Sequence, residues 1–349
     1  MSLIEGYEKD EMNALNRILA TVTGKETDRI PIFPMIDALP AHIFDISTEK
    51  YYSSAENVVK GQKKLQELFN LDYISNFYYL AIETELFGMN SLFFENGSPN
   101  AGKPSVQDID FFLENEIPQV QGTEVYQKTI QTTKGLVEEY KGKKPILSVQ
   151  AAPFSLPSML MGSSEWFEAL LMYPDKITEV LKFTTDFAEQ WAQGHIEAGA
   201  DVIVVVDGVG TATSIPKEVF QQFVIPIYQD LNERLNAPIV FYTAGGDMLP
   251  FAEILPETGT IGVFPSGNDD LETFKKKAAG EYTIFGNINN LEMGDWPHDF
   301  MEKVVKQTIE VGKPGGKFVL ATQHMIPHGV TKEKIADFIN TALKYAYYH

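Results

Sequence analysis

The chain has 349 residues, 44% of them apolar and 22% charged, which is enough apolar material for a large buried core; it has no cysteine, which excludes disulfides, thiolate nucleophiles and thiolate metal ligands. A net charge of −20 excludes nucleic acid as an expected partner, because phosphate recognition needs concentrated Lys and Arg, and the arginines here are Arg17, Arg29 and Arg234 alone. No apolar run reaches membrane-span length and the start, MSLIEGYEKDEMNALNR, is acidic and polar rather than a secretion signal, so a cytoplasmic location with no membrane contact is expected.

Residues ahead of Ile30 read as an N-terminal helical extension. From there short runs rich in β-branched residues alternate with helical patterns. The runs are 30–35, 72–79, 145–149, 201–206, 238–242, 260–264, 282–285 and 317–321. Val202-Ile203-Val204-Val205-Val206 is apolar throughout, as parallel strands covered on both faces are. The stretch 88–121, with Pro, Gly, Asn and a run of acids, reads as an insertion over one end of the fold. Segment 174–199 carries Ile177, Leu181, Phe183, Phe187, Trp191 and Ile196 at helical spacing and stops at Gly199. Ser214 ahead of Pro216 predicts a helix start running to about Arg234, and Thr331 opens the last helix.

Eight β-then-α units predict an α/β fold, a (β/α)8 TIM barrel formed by residues 1–349 as one domain, with the helical extension in front and the insertion after the second strand. An open doubly wound sheet is the alternative. It commonly has a Gly-rich phosphate loop after its first strand, whereas Met35-Ile36-Asp37-Ala38-Leu39-Pro40 contains no glycine.

Barrels of this kind carry their chemistry where the strands end. In chain order those positions hold Asp37, the pair Glu83 and Glu85, Gln150, Asp207, then Tyr242, Thr243 and Asp247, then Asn287 and Asn289, and last Gln323 and His324. Asp207, His324 and Glu83 are the expected catalytic groups. Asp37, Tyr79, Gln150, Phe154, Tyr242 and Asn287 are the expected substrate contacts, in a mouth made aromatic by Phe77, Tyr78, Tyr79 and Phe154. The bland alternatives are a His324 bonded to backbone, and a Glu83 or Glu85 that only favours a helix start. Tyr242-Thr243-Ala244-Gly245-Gly246-Asp247 reads as a tight turn with Asp247 as a helix cap.

Six segments together resemble the uroporphyrinogen decarboxylase superfamily, which also contains corrinoid-dependent methyltransferases. They are Thr27-Asp28-Arg29-Ile30-Pro31-Ile32, Ile82-Glu83-Thr84-Glu85-Leu86-Phe87-Gly88, Ala151-Ala152-Pro153-Phe154-Ser155-Leu156, Glu197-Ala198-Gly199-Ala200-Asp201-Val202-Ile203, Phe285-Gly286-Asn287-Ile288 and the segment 323–335. The decarboxylase pattern of two arginines near the first strand is replaced by Met35-Ile36-Asp37-Ala38-Leu39. Its aspartate falls at Tyr79 and its tyrosine near Met159, while its histidine is matched by His324.

The methyltransferase branch is more similar, through Glu83, Glu85, Gly88 and Asp207. Its His-x-Cys and Cys zinc ligands fall at Tyr242, Ala244 and about His324. The resemblance implies methyl transfer between a small substrate (a methoxylated aromatic, methylamine or methanol type) and a corrinoid, cobalamin, carried by a partner protein. A zinc site built from Glu83, Glu85, Asp207 and His324 would stand in for the thiolate one. A homodimer is a further expectation. A decarboxylase for another carboxylated substrate and a non-catalytic barrel are the alternatives.

Overall fold

The computed structural model describes residues 2–36, 38–95 and 97–348. Its strands are β1 (Ile32–Phe33), β2 (Ile74–Ser75), β3 (Ser91–Phe94), β4 (Gly97–Ala101), β5 (Ile146–Ala151), β6 (Val202–Val206), β7 (Ile239–Tyr242), β8 (Gly262–Phe264), β9 (Thr283–Ile288) and β10 (Phe318–Thr322). The antiparallel pair β3–β4 is the insertion after the second strand. The other eight strands form one parallel sheet in the order β1-β10-β9-β8-β7-β6-β5-β2. From β2 onward each barrel strand therefore pairs with the one before it in sequence, and β1 pairs with β10, so the (β/α)8 barrel architecture expected from the alternation is present.

β1 and β2 are only two residues long and stand at the two ends of that order; no backbone ladder joins them among the described residues. Side chains bridge the seam instead. Asp72, just ahead of β2, accepts the N–H of Ile32 at 2.9 Å. The Tyr73 hydroxyl donates to the Pro34 carbonyl at 2.6 Å, and its ring lies 4.6 Å from that of Phe33. Asp72 also receives Arg29 at 2.6 Å and Arg17 at 2.9 Å. Arg17 reaches Asp28 at 2.7 Å from the first helix (Ala14–Val22), and Arg29 reaches Asp10 at 2.7 Å. Two buried guanidiniums lie side by side because three carboxylates surround them. Burial alone would push the Asp72 carboxyl up, but Arg29 and Arg17 outweigh it and hold it below the usual carboxylate range. In Asp28 burial acts upward too, and the Arg17 hydrogen bond with its neighbours overcomes it, leaving the carboxyl at about 2.

The helices agree closely with the sequence reading. Pro174–Glu197 packs Phe187 and Trp191 inward, and Thr331 caps Lys332–Ala346 by accepting the Lys334 N–H at 3.2 Å. The helix expected from Ser214 starts later. Its first residues are Lys217–Val219, followed by a π-helical turn, Phe220–Val224, and then Ile225–Arg234. The widened turn lies just ahead of Pro226, which has no N–H to give to a regular α-turn. The barrel interior is filled by rings: Phe33 against Phe285, Phe285 against Phe264 and Phe264 against Tyr242, with centroids 5.7, 4.8 and 4.9 Å apart. Gly262 makes room for them, since a Cβ there would lie 2.5 Å from the Phe285 ring. Among the described residues no helix is long and apolar enough to cross a membrane.

Removing one partner of a buried ion-pair cluster strands the others without solvent. Asp72→Asn is expected to cost about 3–5 kcal/mol in chemical denaturation, whereas Lys60→Ala, which breaks an exposed pair with Glu56, leaves the midpoint nearly unchanged. Asp28 titrates lower folded than unfolded, so its contribution is full above about pH 3.8 and is lost as the pH falls towards about 2.

Candidate active site

A cavity of about 440 Å³ opens where the barrel strands end. Val206, Gly208 and Val209 line it from β6 and the loop beyond, Ala244 from the loop after β7, and His324 and Met325 from the loop after β10. Phe77, Tyr79, Leu80 and Ala81 line it from beyond β2, and Ser155, Ser158 and Met159 from beyond β5. Ser98, Pro99 and Asn100 of β4 also face it, so the expected insertion does lie against the barrel mouth.

Asp207 directly follows β6 and is 0% exposed. Its Oδ1 accepts the Ser155 hydroxyl at 2.7 Å and the Gly210 N–H at 2.9 Å; its Oδ2 accepts the Tyr228 hydroxyl at 3.4 Å. Gly210 is required at this approach, because a Cβ there would lie 2.4 Å from the carboxylate. Burial pushes the Asp207 carboxyl up to about 6 against the lowering effect of these donors.

Glu83 lies on the short helix Ala81–Thr84 with its side chain buried against β5. Its Oε1 accepts the Ala151 N–H at 2.7 Å, and its Oε2 has no partner among the described residues. Burial pushes it up to about 8, so it is a neutral acid at neutral pH. Glu85 turns to the hairpin, accepting from Ser91 at 2.5 Å and Tyr79 at 3.0 Å.

His324 faces the cavity with its ring 5.7 Å from Tyr242. The Met325 N–H donates to its Nδ1 at 2.6 Å, which places the proton of a neutral ring on Nε2.

These positions do not bring the expected metal set together. Glu83, Glu85, Asp207 and His324 each spend an oxygen or nitrogen on a different neighbour, and among the described residues no group of three or more His, Cys, Asp or Glu is placed to hold a metal ion. As placed among the described residues, these four do not form a zinc site.

Of the expected substrate contacts, Tyr79 lines the cavity. Gln150 does not: it is fully buried and donates to the Ala188 carbonyl of the outer helix at 3.2 Å. Its position in β5 alternates to the helix-facing side. Phe154 packs on Trp166 in the core. Tyr242 is buried between Phe264 and His324. Asn287 anchors the loop after β8, donating to the Ser266 and Asp269 carbonyls, both at 2.8 Å. Asp37 lies outside the described residues.

Asp247 is not the helix cap expected of it. The N–H groups of Met248 and Leu249 are taken by Asp269 at 2.9 and 3.0 Å. Asp269 is distant in sequence, so no local pattern announced it. Ser155 was also missed, although it stands in one of the motif segments. Its signal was its place one turn past the end of β5.

Glu83 binds its proton more tightly folded than unfolded. Its stabilising effect is full below about pH 4.5 and is lost as the pH rises through about 8. Glu83→Gln keeps the acceptor for Ala151 and has no charge to bury. The wild-type chain should therefore lose stability across that interval in denaturant titrations, and the variant should lose less.

Against known proteins, a methylcobamide:CoM methyltransferase, MtbA, from Methanosarcina acetivorans is 25% identical over 188 residues, 52% of this chain and 54% of that protein. The match thus spans about half the length of that relative. A uroporphyrinogen decarboxylase from Ralstonia pickettii is 21% identical over 243 residues, 66% of this chain and 65% of that protein. A solved structure of a methyltransferase from Methanosarcina mazei superposes with a TM-score of 0.85 at 18% identity, covering 96% of this chain and 99% of that one; the likeness is one of fold. Residues 13–345 match uroporphyrinogen decarboxylase (URO-D), and the chain belongs to that family.

Proposed function

We propose that this chain is an enzyme that moves a methyl group between a small substrate and the corrinoid of a partner protein. The observation that carries the reading is the character of the cavity: apolar and aromatic walls, serine hydroxyls and one imidazole, with every arginine of the chain engaged elsewhere. Arg17 and Arg29 are buried in the seam, and Arg234 pairs with Asp186, Glu189 and Asp230 on the surface. A substrate with several carboxylates would be desolvated here without a guanidinium fork to receive it. That weighs against a porphyrinogen decarboxylase, although such enzymes are among the relatives. The MtbA likeness supports the methyl-transfer side.

A corrinoid supplies a cobalt that gives up or takes on the methyl carbon. This chain's part is to bind the small substrate, exclude water and manage the proton of its heteroatom. The wall formed by Phe77, Tyr79, Leu80 and Met159 suits an apolar or aromatic methyl carrier such as a methoxylated ring, with methylamine- or methanol-type substrates as smaller members of the same class. His324, whose Nδ1 accepts the Met325 N–H, lines the cavity and supplies its imidazole. Leu92 and Phe94 of the hairpin remain about half exposed near the opening, an apolar surface against which a large macrocycle can lie.

Mixing the purified chain with methylcobalamin and a panel of demethylated acceptors should produce the visible spectral change of methyl removal from cobalt for at least one acceptor, and release of carbon dioxide from carboxylated substrates should be absent. An unchanged spectrum with every acceptor, or carbon dioxide release, would contradict the reading. His324→Ala is expected to lower the rate by about tenfold to a hundredfold, with the thermal midpoint preserved, since the side chain is only partly buried.

A further inference from the structure

We infer that Ser155 is the group that meets the reacting heteroatom of the substrate, and that its hydroxyl carries the proton between that heteroatom and Asp207. The inference rests on the methyl-transfer reading and assigns a catalytic contact within it.

Asp207 is the residue that position in the barrel singles out, yet it is fully buried and does not line the cavity. Ser155 does line it, and its Oγ–H donates to Asp207 Oδ1 at 2.7 Å. The carboxylate is fixed behind the serine. The Gly210 N–H holds Oδ1, and the Tyr228 hydroxyl, on a ring stacked 4.7 Å from Phe241, is directed at Oδ2. Gly208 and Val209, the residues that do reach the cavity from this loop, carry no titratable group.

Ser155 is held just as firmly. It precedes the helix Leu156–Met161, and its backbone N–H is bonded to the Ala152 carbonyl at 3.0 Å. Its oxygen accepts a long contact, 3.4 Å, from the Val209 N–H. A hydroxyl whose proton is given to a carboxylate has two lone pairs, so beside the Val209 contact one is left for an incoming donor. A substrate X–H group in the cavity therefore has a continuous path to a buried base through one oxygen atom. Asp207, raised by burial to about 6, is ionised at neutral pH and a stronger base than a solvated carboxylate.

Atoms and electrons balance in this step. With a methylated corrinoid as donor, the substrate heteroatom would take the methyl carbon, and the electron pair of the broken bond would stay with the donor. The heteroatom proton passes to Ser155 Oγ while the proton of Ser155 passes to Asp207 Oδ1, which becomes neutral. In the reverse direction the same two transfers return a proton to the departing heteroatom. Ser155 is the catalytic residue in this scheme and Asp207 a positioning residue that acts through it.

The test compares the full-length wild-type chain with Ser155→Ala, Ser155→Thr and Asp207→Asn, using methylcobalamin and an acceptor that the wild type methylates. Ser155→Ala should lower kcat by about a hundredfold while KM stays within about threefold. Ser155→Thr, which keeps a hydroxyl on the same carbon, should restore most of the rate. The infrared carboxylate band that is lost in Asp207→Asn should shift in Ser155→Ala and return in Ser155→Thr.

A Ser155→Ala rate within about twofold of wild type overturns the proposal. So does a Ser155→Thr variant that restores the infrared band but remains as slow as the alanine variant, since the hydroxyl would then be in place without serving. If the wild type transfers no methyl group, the functional reading falls, and the infrared series judges the Ser155–Asp207 link separately: a band unmoved in Ser155→Ala overturns it, and a moved band upholds it.

Discussion

The Arg17–Arg29–Asp72 cluster is the constraint on which the rest of the barrel depends. A closed barrel must join every pair of neighbouring strands; β1 pairs with β10, but the two-residue strands β1 and β2 share no ladder among the described residues. Asp72 replaces the ladder with a carboxylate that takes one backbone N–H and two guanidiniums. The arrangement also ties in the N-terminal extension, because Arg17 comes from its helix and Asp10 precedes it. Such a cluster gains little over a well-packed apolar seam in net energy, but it tolerates no missing member.

That commitment shapes the other end of the barrel. With Arg17 and Arg29 buried in the seam and Arg234 engaged among surface acids, no guanidinium is left for the mouth. Behind the mouth lie two buried carboxyls that burial pushes up, Glu83 to about 8 and Asp207 to about 6. Glu83 is raised further because it receives fewer hydrogen bonds. The methyl transfer proposed above fits such a site, which has no guanidinium for gripping several carboxylates at once.

The family's fold is compatible with more than one chemistry, so the individual strand ends matter more than the architecture. Tyr242 and Ala244 leave the end of β7 without a soft metal ligand, and Glu85 is drawn away by Ser91 and Tyr79. The cavity is left facing a hydroxyl backed by a carboxylate, and an imidazole with one nitrogen already engaged.

Much of the barrel was legible in the amino-acid order, because the signals are local. The all-apolar run Val202–Val206, the turn residues after each strand and the periodicity of 174–199 needed no knowledge of distant neighbours. The rim was legible in the same way, as the polar residues just past each strand. Which rim residues turn inward was not. Gln150 turns to Ala188 because strand side chains alternate and the register came from pairing with β6. The cap on Met248 comes from Asp269, on a different strand end from the one where the sequence pattern placed it. Ser155 acquired its place at the cavity only when the loop after β5 met the loop after β6. Periodicity and turn chemistry are set by neighbours along the chain. The partner of a buried carboxylate is set by which loops the closed barrel brings within hydrogen-bond reach.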